Sequence, residues 1–365
     1  MYRLKYAAVA NFKLNYQNKL GSAKDKDSLF TRISNGLNQA FLNVKKSNLT
    51  KTEKTLYQQY IMVIKNNLFD ILNISFDKMK GVVDKNILQN DSLYFLSNPG
   101  IDFSKKLFCR IFDPETGAPV QYKSGKKKGL CKKEKRKFHE MIVDAMMYDQ
   151  VRDVMRRCFQ EMNINACVYC NAQYLLTYSH VKKTMSSMQI DHYFDKSDWP
   201  CFSSSFFNFL PSCGYCNQKK SNRFVDFYLY AENDEESNPF KFEIPDSELA
   251  TFLVDYSTKF SIKFKGALYN LDQAAKSHNS TFHIEDLYND NFLEVVKNFI
   301  KRKMFLHGVV NSCSNSFEID DSILKMSYNE IYFDFVDDVD KIHSAPLTKL
   351  KQDINSQINP NLPKI

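Results

Sequence analysis

The 365-residue sequence predicts an α+β chain, mostly helical, with a small strand–strand–helix element embedded in it. Two observations carry that prediction. Apolar residues recur at three- and four-residue spacing over long stretches on both sides of the middle of the chain, the period of a helix with one buried face. Between those stretches, two Cys-x-x-Cys pairs, Cys167/Cys170 and Cys213/Cys216, enclose two short strand-like runs and lead into a helical one. The pattern divides into three regions. Residues 1–130 are mainly helical with a basic loop near their end. Residues 131–230 are the cysteine-bearing core with the helix that precedes it. Residues 231–365 are α+β, mostly helical.

Taken in order, Phe30, Ile33, Leu37 and Phe41 mark a first helix. Thr50 followed by Glu53 is a capping-box pattern, and the stripe from Leu56 to Leu72 predicts one helix over 51–74. Asn98-Pro99-Gly100, Asp113-Pro114 and Ser124-Gly125 are turn signals. The lysine-rich run 123–137 reads either as a solvated loop leading into a helix or as a phosphate-contacting loop. A strong helix is predicted over 133–162, where His139 is a surface or packing residue. Beyond the cysteines, Glu232 to Asn238 reads as a linker and Phe260 to Lys265 as a strand. A helix follows over 289–307, with His283 capping or packing ahead of it. The acidic run Asp334, Asp337, Asp338 and Asp340 suits a solvated face better than a metal site. A last short helix spans 347–358, ended by Pro360 and Pro363.

The net charge of +8 suits a phosphate-rich partner, although a solvated lysine-rich surface has the same signature. Glycine and proline are too scarce for a fibrous or disordered chain. No stretch reads as a signal peptide and no window is apolar for long enough to span a bilayer. Nine cysteines, five of them (Cys109, Cys131, Cys158, Cys201 and Cys313) in ordinary segments, suit a reducing cytoplasm, the expected location.

Two Cys-x-x-Cys knuckles supply four soft thiolates and no open position for water. They predict a closed, structural zinc site. Tyr174 to Tyr178 and Met188 to Phe194 read as the two strands of an antiparallel ribbon, with His180 to Thr184 as the turn. A helix begins at about Gly214, and Cys216 and Asn217 fall in its first turn. That order puts a strand-borne Asp191-His192 pair beside the start of a helix, held by the metal.

The order Cys-x-x-Cys, Asp-His, Asn, Cys-x-x-Cys-Asn-x-x-Lys resembles the HNH endonuclease family, the ββα-metal finger with a four-Cys zinc site. Its named letters fall on His192, Asn208 and Asn217, and the match covers roughly residues 167 to 224. The strings Asp191 to Pro200 and Phe206 to Cys213 resemble more narrowly a bacterial subgroup that includes the HNH subunits of Septu-type anti-phage systems, which act beside an ATPase. His283 to Asp290 and Pro346 to Leu350 look like the same subgroup. Asp195 departs from it, standing where many members have proline.

The resemblance implies phosphodiester hydrolysis in DNA, leaving 5′-phosphate and 3′-hydroxyl ends. His192 is then the general base, since its ordinary pKa lies near neutrality. Asp191 and Asn217 are hard oxygen ligands for a catalytic Mg²⁺ or Mn²⁺. Asn208 orients the His192 segment, and Lys220 contacts phosphate. The same residues have plainer readings: Asn217 as a helix cap, Asp191 as an acceptor beside the zinc, Lys219 and Lys220 as solvated positions. Expected partners are DNA and an ATPase, with an oligomer possible within that complex and no membrane. The competing readings are a catalytically silent zinc-stapled nucleic-acid-binding module and an adaptor subunit of an ATPase complex.

Overall fold

The computed structural model describes residues 2–22, 24–25, 27–110, 119–126, 128–180, 183–231, 237–317 and 338–358. Among the described residues it is a mixed α+β chain in which helices predominate and the strands pair only two at a time. Its internal contacts gather into two compact units. One comprises Ala10–Cys158 and Ile190–Phe209; the other comprises Met1–Val9, Phe159–Gln189 and Leu210–Ile365. They are called here the helical unit and the cysteine unit. Among the described residues, no helix is long and apolar enough to cross a membrane.

In the helical unit, the Leu29–Lys45 helix starts where the Ser28 hydroxyl accepts the Thr31 amide. The Lys51–Asn66 helix starts on the predicted box, with Thr50 and Glu53 each accepting the other's backbone N–H. The single helix expected over 51–74 is broken at Asn67, and a short Leu68–Leu72 helix follows. Asn67 turns its side-chain amide back onto the Val63 carbonyl, a local bond that competes with helix continuation.

The helix expected over 133–162 is also corrected. Lys133–Lys137 is a strand, antiparallel to Lys106–Arg110, so the lysine-rich run ends in a sheet and not in the first turns of a helix. Two helices follow, Phe138–Ala145 and Tyr148–Glu161, parted by Met147 in the left-handed region at φ 55°. Phe138, Met141, Ile142 and Ala145 of the first and Val151, Met155, Cys158 and Phe159 of the second are buried, so the three- and four-residue spacing continues across the break. Leu29–Lys45 lies against Phe138–Ala145 at Gly36, where an added Cβ would stand 2.6 Å from the Ala145 carbonyl oxygen. Phe138 closes the core edge-on to Tyr57 at 4.6 Å between ring centroids.

Residues 190–209 are tied into this unit by polar bonds at a serine run. Ser204 donates to the Met146 carbonyl and Ser205 to the Ile71 carbonyl, while the Tyr16 hydroxyl donates to Ser204. All three serines, Ser203 to Ser205, are fully buried.

In the cysteine unit, Leu4–Lys5 pairs parallel to Tyr230–Ala231, and Phe240–Glu243 pairs antiparallel to Lys263–Gly266. The last pair includes the strand expected over 260–265, shifted by three residues at its start. The expected ribbon of 174–178 with 188–194 is corrected: Thr177–His180 takes Lys183–Ser186 as its partner in a tight local hairpin. Gln189–His192 does not pair with that hairpin.

The Gly214–Lys220 helix begins where predicted. The helix expected over 289–307 begins at Leu293, in Leu293–Phe317, and two further helices, Asp272–Phe282 and Ile284–Asn291, precede it. His283 makes the first joint, left-handed at φ 53° and without a side-chain cap bond. Of the expected linker, residues 232–236 lie outside the described residues. So do Asp334, Asp337, Pro360 and Pro363. Asp340 accepts the Tyr2 hydroxyl at 2.6 Å.

Candidate metal centre and the Asp-His strand

The four cysteines of the two knuckles meet in the cysteine unit. Cys167, Cys170, Cys213 and Cys216 are all buried, and their sulfurs lie within 4.8 Å of one another. Tetrahedral zinc with Zn–S bonds of about 2.3 Å sets its sulfurs about 3.8 Å apart, inside that limit. Three backbone amides point at the sulfurs. Cys213 N–H donates to Cys167 Sγ (3.3 Å), Cys216 N–H to Cys213 Sγ (3.5 Å) and Ala172 N–H to Cys170 Sγ (3.5 Å). Such donors stabilise thiolate charge in a site without water.

Crowding divides the titration of the group. Hydrogen bonds from Cys167 and the other two thiols pull Cys213 far below the usual thiol range. The mirror-image bonds, with burial, push Cys170 and Cys216 up. Four buried sulfurs at this spacing cannot all ionise without a cation among them. The group can hold a structural metal ion.

What the sequence did not reveal is how the first knuckle is held. Asn171 follows it in the left-handed region at φ 51°. Its side chain accepts the Lys349 amide and donates to the Ile342 carbonyl, and its own carbonyl accepts the Leu347 amide. Within the knuckle, the Tyr169 carbonyl accepts from His278 Nε2 at 2.7 Å and the Cys170 carbonyl from the Tyr288 hydroxyl at 2.7 Å. Of the two downstream strings noted above, 283–290 thus supplies Tyr288 and 346–350 supplies Leu347 and Lys349. Outer partners of this kind fix the orientation of metal ligands.

Cys213 is also the N-cap of Gly214–Lys220, so the second knuckle and the helix start are one structure. Asn217 is therefore not the cap. It is half-buried inside the helix, its amide bonded to the Cys213 carbonyl at 3.0 Å. Lys220, expected to reach phosphate, is 1 % exposed. Lys219 is exposed, with its ammonium 5.6 Å from the centroid of the Tyr215 ring.

Asp191, His192 and Asn208 fall in the helical unit. Asp191 and His192 are buried at 7 % and 5 % exposure, at the end of the Gln189–His192 strand. His192 Nε2 lies 2.9 Å from the Ser203 carbonyl oxygen. A carbonyl only accepts, so Nε2 carries the proton and Nδ1 is the basic atom of the ring. The ring lies between Tyr148 and Phe209, 4.9 and 5.3 Å away by centroids. The Tyr148 hydroxyl reaches the Ile190 carbonyl at 3.2 Å, so this tyrosine braces both the strand and the imidazole.

Asn208 is fully buried and its amide is used completely. Oδ1 accepts the Phe194 amide (2.8 Å), while Nδ2 donates to the Phe194 and Phe202 carbonyls (3.1 and 3.0 Å). It closes the loop that follows His192 and has no donor left for a substrate.

Asp195, the departure from the subgroup, is engaged in its own turn, accepting from the Ser197 amide and hydroxyl. Next to it stands a residue that sequence reasoning passed over. The Lys196 ammonium sits 4.5 Å from the Tyr148 ring centroid. Burial draws its pKa below the ordinary lysine value, against the pull of Asp195, Asp149 and Asp191. A lysine has no signal of its own in a sequence this rich in lysine, and only the fold places it beside Tyr148.

Compared with protein-family models, with curated proteins and with solved structures, the chain matches none.

Proposed function

We propose that the chain is a metal-dependent HNH endonuclease that hydrolyses phosphodiester bonds in DNA, an effector of bacterial anti-phage defence that acts with an ATPase partner. The observation that carries the reading is His192. A buried imidazole directly after an aspartate, protonated at Nε2 by its bond to Ser203, is prepared to take a proton at Nδ1. His278 makes the same kind of Nε2 bond, to the Tyr169 carbonyl; what sets His192 apart is the aspartate directly before it on the strand. The order of elements supports the same reading, since a strand ending in Asp191-His192 is followed by the Phe209–Ser212 strand and the helix bearing Asn217.

In this proposal the four cysteines hold zinc as a frame, and zinc fits their all-thiolate, closed character. Asp191 and Asn217 are the oxygen donors assigned by the motif to Mg²⁺ or Mn²⁺. That cation would neutralise charge on the phosphate and on the departing 3′ oxygen. His192 removes a proton from water, which attacks phosphorus in line with the leaving oxygen. Asn208 and Tyr148 are positioning residues that hold the histidine. Lys196, with its ammonium partly withdrawn from water, is suited to a phosphate oxygen, and takes the role first assigned to Lys220.

The test is conversion of supercoiled plasmid, with the protein alone and with its co-purifying ATPase. Nicking should require added Mg²⁺ or Mn²⁺, and the nicks should be sealed by DNA ligase without prior phosphorylation, as 5′-phosphate ends are. Nicks that seal only after phosphorylation would reject this chemistry.

A further inference from the structure

The strand pair of the helical unit has a face that the nuclease reading leaves unused. In the register of Lys106–Arg110 against Lys133–Lys137, Lys106 is opposite Lys137, Phe108 opposite Lys135 and Arg110 opposite Lys133. Residues directly opposite in an antiparallel pair share a face. One face therefore carries Lys106, Phe108, Arg110, Lys133, Lys135 and Lys137: five cations, one aromatic ring and no acid. The Lys135 ammonium lies 5.0 Å from the centre of the Phe108 ring, as the register requires. Phe108 is 51 % exposed, an apolar ring left in water among cations.

The other face has a different character. Leu107 and Cys109 are buried, Cys109 with its thiol pushed up to about 11 by burial. Arg136 is paired with Glu134 and Asp144. The acidic residue of the ribbon and its ion pairs are thus all on the inner side. The Asn43 side chain accepts the Arg110 amide at 3.1 Å and anchors the strand to the helices. The cations stand on a supported, rigid ribbon and not on a loose tail.

We propose that this outer face is a docking surface for duplex DNA, gripping the phosphate backbone ahead of cleavage. Five cations spread over about 14 Å of strand match the dense linear charge of a duplex. A two-stranded ribbon also has the width that the major groove admits. A solvated lysine surface would be expected to intersperse acids for solubility, and the six residues of this face include none. The charges argue for a polyanion by themselves; the choice of DNA rests on the nuclease reading above.

The experiment is binding of the full chain to a fluorescent duplex of about 20 base pairs, measured by anisotropy over a range of salt without added divalent metal. Each phosphate contact contributes about 0.9 to the slope of log affinity against log salt. Replacing Lys106, Arg110, Lys133, Lys135 and Lys137 by Gln should lower that slope by about 4 to 5 and weaken binding at every salt concentration. A second variant with Arg at the four lysine positions should bind as the parent does. Thermal melts and bound metal are compared so that a misfolded variant is recognised. An unchanged slope in the Gln variant would overturn the proposal, as would equal loss in the charge-preserving variant. Failure here with metal-dependent nicking intact removes the docking surface alone. Duplex binding with the predicted slope change but no nicking removes the nuclease reading alone.

Discussion

Asn208→Ala tests how the Asp-His strand is held. Asn208 spends its whole amide on backbone: the Phe194 N–H and C=O and the Phe202 C=O. The Phe202 carbonyl keeps a second donor, the Ser205 amide at 3.1 Å. The two Phe194 groups lose the bonds described here. Each buried backbone group left without a partner costs about 1–3 kcal/mol, so the pair costs about 2–6 kcal/mol. The loss should localise. Hydrogen exchange at Tyr193 and Phe194 should rise well above that in the Lys51–Asn66 helix. The midpoint of urea unfolding should fall by an amount equivalent to at least 2 kcal/mol, while bound metal stays unchanged. Nicking should fall because the loop after His192 loosens. A variant within about 0.5 kcal/mol of the parent, with unchanged exchange at Phe194, would refute the assignment of Asn208 as the clamp on this loop.

Two further outcomes concern the cysteine unit. Cys213→Ser removes one thiolate but leaves a hydroxyl able to cap Gly214–Lys220, so metal analysis should show loss of bound zinc, with a loss of folded signal from that unit that comes from the metal and not from the cap. Full metal stoichiometry in this variant would contradict the four-thiolate site. Burial holds His278 and His343 neutral, their pKa values lowered to about 3 from an ordinary 6.5. The unfolded chain therefore binds more protons between those values, and their contribution to stability is full above pH 6.5 and is lost as pH falls toward 3. From pH 7.5 to 5 the two together should cost on the order of 4 kcal/mol. Urea midpoints at pH 7.5 and 5 check this, and His278→Phe should show a smaller drop than the parent. An equal drop would exclude His278 as a source of the pH dependence.

The legible features were those written in local chemistry. Thr50 and Glu53 are three residues apart and cap one helix wherever the chain goes. Four cysteines in two knuckles converge because little else would gather four buried thiols. The helix start at Gly214 follows from Cys213, whose side chain caps it. Other features depend on partners distant in sequence. Lys133–Lys137 lacks an apolar alternation because Glu134 and Arg136 satisfy its inner face by ion pairing, so nothing local separates it from a basic helix. The break at Met147 needs a left-handed non-glycine residue, which no periodicity reports. Thr177–His180 pairs with Lys183–Ser186 just beyond it and not with the strand that carries Asp191, and a strand pattern names no partner. Asn171 and Asn217 look equivalent after their knuckles, yet one is a left-handed hub of hydrogen bonds and the other lies inside a helix.

The central proposal is that His192 is the general base of a nuclease. Plasmid nicking by His192→Ala, compared with the parent at equal bound zinc and equal Mg²⁺, tests it most directly. The account predicts that nicking disappears while zinc content and the thermal melt remain those of the parent. A His192→Ala protein that cuts plasmid as fast as the parent would contradict it.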